Sequence, residues 1–168
     1  MDPNYRIRHA VIEDAPIIAR HRAAMFRDMG DVSGDDVARL ESASLVYLRQ
    51  MMAERRYLGW FVEHKGEVVV GGGLVVSQLL PRPGALDGGA QALIVNVYCE
   101  PEHRRRGLAR ALMKAMLDWC KRERIANVVL HASREGRPLY ESLGFVRTNE
   151  MRLQGRVESC FDDREDTD

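Results

Sequence analysis

Three consecutive arginines followed by a glycine, residues 104–107, are the residues whose types and spacing most directly indicate chemistry. Glycine lets the backbone approach a ligand closely, and guanidinium groups bind phosphate oxygens through paired hydrogen bonds. The helical spacing of Leu108, Leu112 and Ala115 predicts a helix that begins directly after the glycine. Because the first amides of a helix lack acceptors and carry the positive end of its dipole, this turn is predicted to bind phosphate.

A predicted strand leads into the turn. Residues 92–99 are an almost continuous apolar run, and Pro101 ends the strand because proline has no amide to donate. Three arginines at a helix start oppose the helix dipole, which favours a functional role over a purely structural one. For Arg105 and Arg106, a second interpretation is equally open: their side chains face solvent and only their amides contact a ligand.

Two sequence blocks resemble the GNAT superfamily of N-acetyltransferases. Arg104-x-x-Gly107-x-Ala109 is similar to the superfamily's acetyl-CoA signature, Gln/Arg-x-x-Gly-x-Gly/Ala. Residues 138–145, Pro-Leu-Tyr-Glu-Ser-Leu-Gly-Phe, resemble its downstream Leu-Tyr-x-x-x-Gly-Phe segment, and the apolar strand 127–131 lies between the two blocks. The first block alone is a weak signal, whereas both blocks in this order make a specific one, which covers residues 91–153.

The resemblance implies an α/β GNAT fold, with a mixed, mostly antiparallel sheet of six to seven strands flanked by about four helices. A chain of 168 residues suits one domain, which we expect at residues 1–157. Residues 158–168 are acidic with few apolar side chains, and we expect them to be disordered.

The N-terminal half matches this fold only by the order of its elements. Alternation predicts a strand at residues 5–9, followed by a helix that Asp14 caps and that runs to residue 29. A capping-box pattern that begins at Ser33 predicts a second helix ending near residue 56. Two strands joined at residues 65–66 follow, and the glycines at 71–73 predict a bulge or a close backbone approach.

The resemblance further implies acetyl transfer from acetyl-CoA to an amine, by direct attack in a ternary complex. Amides of residues 105–110 and the Arg104 side chain would hold the pyrophosphate, and the fourth-strand backbone would hold the pantetheine. Ser133 stands where many members carry Asn, and one hydroxyl contact would remain there. The implied cofactor-binding residues are Val97, Tyr98, Cys99, Arg104, Arg105, Arg106, Gly107, Leu108, Ala109, Arg110, Ser133 and Tyr140.

The implied general acid is Tyr140, whose phenol would protonate the leaving thiolate. The base is open. Members of the superfamily often use a carboxylate on the fourth strand, but the interior of that strand offers only Asn96, which is predicted to contact the acceptor or a water molecule. Glu100 and His131 rank together as candidate bases, and Glu150 is a further one.

By the resemblance, the first two helices wall the acceptor cleft. Candidate acceptor contacts there are His21, Arg22, Met25, Phe26, Tyr47 and Met51, and the alternative for each is core packing or solvated surface. We expect a small-molecule amine as acceptor, with a peptide or protein amine open. The missing interior carboxylate also keeps open a CoA-binding module without turnover.

Composition restricts the other classes of function. Lysine plus arginine equals aspartate plus glutamate at 25 each, so no overall charge favours nucleic acid or an anionic membrane. Three cysteines without metal-ligand spacing indicate neither a disulfide framework nor a metal site. No apolar stretch reaches membrane-spanning length. We therefore expect a soluble, cytoplasmic protein without metal, and an exposed last strand would allow a homodimer.

Overall fold

The computed structural model describes residues 4–81, 83, 86 and 88–151, in two compact units divided between His131 and Ala132. The first unit contains β1 (Tyr5–His9), α1 (Ala15–Met29), α2 (Asp35–Ala53), β2 (Tyr57–His64), β3 (Glu67–Leu79), β4 (Gly89–Cys99), α3 (Leu108–Arg122) and β5 (Asn127–Leu130), with short 3-10 turns at Ile12–Asp14 and Pro101–His103. The second unit contains α4 (Arg137–Glu141). That residues 1–157 form one domain stays a prediction.

The five strands form one sheet in the order in which they occur along the chain. Strands β1 to β4 pair antiparallel, and β5 pairs parallel with β4, which confirms the predicted mixed, mostly antiparallel sheet. Six to seven strands were expected, whereas the described residues form five. Residues 146–151 form no strand, and the acidic tail lies outside the described residues.

Helices α1 and α3 cover opposite faces of the sheet, as the three glycines of β3 show. A Cβ atom at Gly71 would meet His21 of α1, and one at Gly72 would meet Leu112 and Met116 of α3. Successive side chains of a strand point to opposite faces, so the glycines alternate between the two layers. The α1 face, where α2 also packs, carries the polar residues considered below.

Gly73 is required sterically by the buried ring of Tyr57, because a Cβ atom there would stand 2.3 Å from the Tyr57 hydroxyl. We expect Gly73→Ala to lower the free energy of unfolding by about 2 kcal/mol, since the ring has to shift within a packed core. Gly89→Ala in β4 is the control, because no heavy atom lies within 4 Å of its added Cβ. Urea denaturation measures both variants, and equal stabilities would contradict the prediction.

The residues before α1 and α2 differ from the sequence prediction. Asp14 precedes α1 but does not cap it, because its carboxylate accepts hydrogen bonds from the Val11 amide at 2.8 Å and from Arg8 at 2.6 Å. The hydrogen bond from the Arg8 guanidinium is charge-assisted and stronger than a bond to a neutral helix amide. It holds the pKa of Asp14 below its usual value. Gly34, and not Ser33, is the residue before α2, and no side chain caps that helix.

Helix α2 carries two of the candidate acceptor contacts, Tyr47 and Met51. The buried face of α2 contains Ser44, Leu48 and Met51, and Tyr47 lies on the outer face with 61% of its surface exposed. This exposure agrees with the alternative interpretation of solvated surface, and a contact of Tyr47 with an acceptor stays a prediction. The other α2 residue of that group, Met51, is buried in the core, in agreement with the alternative interpretation.

Candidate active site

A bulge interrupts β4 at Asn96. Gly73 pairs with Val95 and Gly71 pairs with Tyr98, so three steps along β4 oppose two steps along β3. Asn96 takes a left-handed conformation with φ 57°, which asparagine tolerates better than most residues. A bulge bends a strand and re-aims its side chains, and here it accompanies the buried Asn96 side chain on the α1 face.

Immediately before the bulge, β4 loses its pairing with β5. Register runs from Gln91 beside Asn127 to Ile94 beside Leu130 and stops there. Among the described residues, no strand pairs with residues 95–99 on this side of β4. An unpaired strand edge offers backbone N–H and C=O groups to a partner, so Val97, Tyr98 and Cys99 can bond the amide groups of a ligand.

The turn before α3 is open and lined by backbone amides. Gly107 has φ 76° and Arg105 has φ 62°, and such turn conformations direct successive amides toward one side. Amides of Leu108, Ala109 and Arg110 begin α3, where no acceptor within the helix exists for them. A Cβ atom at Gly107 would meet no heavy atom within 4 Å. This combination fits an anion the size of a phosphate group.

The arginine side chains of this turn mostly contact the protein. Arg104 donates to the Cys99 carbonyl at 2.9 Å and pairs with Asp28 of α1, and this pairing lowers the pKa of Asp28. Arg106 donates to the Tyr5 hydroxyl at 3.1 Å. Arg105 is exposed and makes no hydrogen bond or ion pair with the described residues. Two arginines thus attach the turn to α1, β4 and β1, and phosphate binding by the Arg104 side chain stays a prediction.

At the bulge, Arg22 of α1 donates to the Asn96 side-chain oxygen at 2.6 Å. The Arg22 guanidinium also lies 4.8 Å from the center of the Phe26 ring. The Tyr57 hydroxyl is buried beside Asn96 without a hydrogen bond of good geometry, and burial raises the pKa of Tyr57 to about 12. Arg22 and Asn96 were each predicted from the sequence, but not as partners, and Tyr57 was not predicted. The one sequence signal for Tyr57 is an aromatic residue at the start of a strand.

His21 is buried near the end of β4. Its Nε2 atom lies 3.3 Å from Glu100 Oε1 without forming a hydrogen bond, and neither ring nitrogen has a hydrogen-bond partner in the part of the chain that the structure describes. Burial, together with a smaller effect of the nearby Arg20 charge, lowers the pKa of His21 to about 4. His21 is therefore a neutral imidazole at pH 7.

This burial predicts an acid-sensitive fold. Unfolded His21 binds a proton below about pH 6.5, whereas folded His21 does so only below about 4. Between these values the unfolded state holds the extra proton, so stability is complete above pH 6.5 and falls as the pH decreases toward 4. The slope approaches about 1.4 kcal/mol per pH unit.

Chemical denaturation at several pH values tests this expectation. His21→Leu should remove most of the slope that His21 contributes in the window, because its side chain is apolar. His9→Leu is the control, since His9 is exposed. An unchanged slope in His21→Leu would show that other groups cause the acid sensitivity.

The two leading candidate bases lie at different distances from the bulge. Glu100 follows Asn96 by four positions, which corresponds to roughly 13 Å along an extended chain. His131 comes directly after β5 and outside it, and its neighbour Leu130 pairs with Ile94, so the register places His131 level with Val95. The side chain of His131 is exposed.

In the second unit, Ser133 and Tyr140 belong to the turn and helix of α4. The Ser133 hydroxyl accepts a hydrogen bond from the Gly136 amide at 3.0 Å and keeps its own proton for donation. The Tyr140 ring packs over Gly136 and meets the Phe145 ring edge-on, at 6.2 Å between centers. Burial raises the pKa of Tyr140, so its phenol is protonated at neutral pH. Glu150 is exposed in the same unit.

The described part of the chain contains neither a candidate metal cluster nor a helix that could span a membrane. Residues 4–81, 83, 86 and 88–151 contain no group of three or more His, Cys, Asp or Glu side chains that could hold a metal ion. In the same residues, no helix has both the length and the apolar character needed to cross a bilayer.

Two of the solved structures similar to this chain are described as an N-acetyltransferase and a predicted acetyltransferase. A GCN5-related N-acetyltransferase from Ralstonia eutropha JMP134 is 34% identical, with a TM-score of 0.79 over 89% of this chain and 97% of that one. A predicted acetyltransferase from Clostridium acetobutylicum, solved with acetyl-CoA, is 23% identical, with a TM-score of 0.81 over 92% and 97% of the two chains. Fold and site therefore define an acetyltransferase-type α/β protein.

The family follows from the sequence match. Residues 29–158 match the model of the acetyltransferase (GNAT) domain, which is more than half of the chain. The chain belongs to the GNAT family of acetyltransferases, and its fold and acyltransferase class are those that the sequence predicted. None of the curated proteins compared with the chain matches it significantly.

Proposed function

We propose that the protein transfers the acetyl group of acetyl-CoA to an amine of a small molecule, by direct attack in a ternary complex. Family membership supports acyl transfer in general. The observation that carries the choice of acetyl-CoA is the open, amide-lined turn at Gly107, directly before α3. A pyrophosphate is the part of CoA that such a turn can hold.

The remaining contacts to acetyl-CoA follow along β4. In this proposal, amides of residues 105–110 hold the pyrophosphate, and the unpaired edge at Val97, Tyr98 and Cys99 bonds the pantetheine amides. The acetyl group then lies toward the bulge at Asn96, where β4 and β5 separate. In this proposal, the Ser133 hydroxyl donates a hydrogen bond to the pantetheine, at the position where many family members use an asparagine.

The reaction needs two proton transfers. The lone pair of the amine attacks the thioester carbonyl carbon, an N–C bond forms, and the C–S bond breaks with its electron pair on sulfur. A base removes one proton from the amine nitrogen, and Tyr140 donates one proton to the sulfur. Register favours His131 over Glu100 as the base, because His131 is level with the bulge.

Direct attack is favoured over a cysteinyl intermediate because the described cysteines are poor nucleophiles. Only a thiolate attacks a thioester efficiently. Burial raises the pKa of Cys99 to about 11 and also raises the pKa of Cys120, so both are protonated thiols at neutral pH. An acceptor amine held at the bulge then attacks acetyl-CoA without an enzyme-bound acetyl group.

The test is free-thiol release from acetyl-CoA with a panel of amino acids, other small amines, polyamines and peptides, together with calorimetric binding of CoA. We expect CoA binding and turnover with one class of small amine. Turnover with peptides alone would contradict the small-molecule acceptor. CoA binding without turnover would replace the enzyme by a CoA-binding module, and absence of CoA binding would contradict the whole proposal.

A further inference from the structure

Arg22 is a half-buried cation whose charge no carboxylate neutralises among the described residues. Its hydrogen-bond partner is the neutral Asn96 amide, and its other neighbour is the Phe26 ring. Arg8, another partly buried arginine, pairs with both Asp14 and Glu63. Burying a charge without an opposite charge is unfavourable unless a ligand compensates for it.

Burial also changes the pKa of Arg22. Desolvation lowers the pKa of Arg22, and Tyr57 among the described residues raises it by a smaller amount. In contrast, the pKa of Arg8 lies above its ordinary value because of its two carboxylate partners. The binding free energy of an anion should therefore be more favourable beside Arg22 than beside an arginine that is already paired with carboxylates.

The guanidinium group has donors left for such an anion. It carries five N–H donors in a planar fork, and the bond to Asn96 uses Nη1. A carboxylate or a phosphate oxygen pair matches the remaining fork geometry. Asn96 lies at the bulge, so a group bound to Arg22 would be placed close to the point where β4 and β5 separate.

We propose that Arg22 binds an oxyanion of the acceptor, so that the acceptor is an amine that also carries a carboxylate or a phosphate group. This inference rests on the proposed function, because it assumes that the acceptor amine reacts near the bulge. The guanidinium fixes the anionic end of the acceptor, and Asn96 fixes the guanidinium. Arg22 then selects the substrate and orients its amine toward the thioester.

The experiment compares acceptors that differ only in the anion. Glycine is paired with glycinamide, glutamate with its α-amide, and phosphoethanolamine with ethanolamine, each at saturating acetyl-CoA. In the wild type, kcat/KM should be at least about tenfold higher for the anionic member of one pair. The pair that shows the preference distinguishes carboxylate from phosphate.

Arg22→Gln should abolish this preference by lowering kcat/KM for the anionic acceptor roughly tenfold to hundredfold. The uncharged member should change less than about threefold, which a purely structural role of Arg22 would not produce. Arg22→Lys should restore part of the preference, since it keeps the charge without the fork. Arg20→Gln is the matched control, because Arg20 is an exposed neighbour on the same helix.

Equal kcat/KM values within all wild-type pairs, or an equal loss for both members in Arg22→Gln, would overturn the inference. Calorimetric binding of the same acceptors to the CoA-bound protein separates it from the proposed function. One outcome is that the anionic member of a pair binds more tightly to the wild type, that Arg22→Gln removes this difference, and that no acceptor is acetylated. The oxyanion site at Arg22 is then supported, and the acetyltransferase proposal is contradicted. If acceptors are acetylated at equal rates whether or not they carry an anion, the acetyltransferase proposal is supported and the oxyanion site at Arg22 is contradicted.

Discussion

Gly107→Glu is expected to weaken CoA binding about a thousandfold, because two or more charge-assisted hydrogen bonds are lost. The added side chain would begin in the space that is now open before the first amides of α3. Its carboxylate would compete with the pyrophosphate for the same donors and would repel it. Calorimetric titration with CoA measures the change, and turnover at fixed acetyl-CoA should fall in parallel.

A matched control separates this effect from backbone strain. Gly30 ends α1 with φ 82° and, like Gly107, has no heavy atom within 4 Å of an added Cβ. Gly30→Glu therefore carries the same charge and a similar strain, which costs about 1 kcal/mol in the left-handed region. It should reduce stability but leave the affinity for CoA within about threefold of the wild type. Equal losses of CoA binding in both variants would contradict a phosphate site at Gly107.

Local chemistry explains why this turn could be predicted from sequence. The signals for this turn are an apolar run, a proline and a glycine before a helical pattern, and all of them are local in sequence. Strand β4 ends before the proline and helix α3 begins after the glycine, as these residues indicate. The roles of the arginine side chains could not be predicted. Arg104 contacts Asp28 and Arg106 contacts Tyr5, and both partners are distant in sequence.

The bulge shows the same limit within the sheet. Three glycines in β3 predicted an irregularity at the right place, and the register confirms a shift there. The glycines did not indicate that the extra residue belongs to β4, because that depends on how the two strands pair. Likewise, Arg22 and Asn96 are 74 positions apart, so periodicity gives no sign of their hydrogen bond.

The caps illustrate competition between local and distant partners. Asp14 has the residue type and position of a helix cap, and a sequence pattern assigns it that role. In the folded protein, Arg8 on β1 offers two charge-assisted hydrogen bonds to the same carboxylate. The Asp14 carboxylate therefore bonds the charged Arg8 side chain and not the neutral amides of the helix. This contact exists only in the tertiary structure, so the local sequence pattern does not predict it.

Tyr140→Phe is expected to lower kcat by about a hundredfold or more, the usual contribution of a general acid. The substitution removes the hydroxyl but keeps the ring, which packs over Gly136 and against Phe145. CoA affinity should therefore stay within about threefold of the wild-type value. Steady-state kinetics and calorimetry on the same preparation measure the two quantities.

Tyr47→Phe is the control for removal of a tyrosine hydroxyl, because Tyr47 is exposed on α2. The pH dependence gives a second readout. Burial raises the pKa of Tyr140 above its ordinary value, so the donor stays protonated through the neutral range and beyond. Wild-type kcat should then show no loss from Tyr140 ionisation up to about pH 10, the ordinary value for tyrosine. If Tyr140→Phe retains wild-type kcat, the thiolate obtains its proton from another donor or from water, and Tyr140 only packs α4.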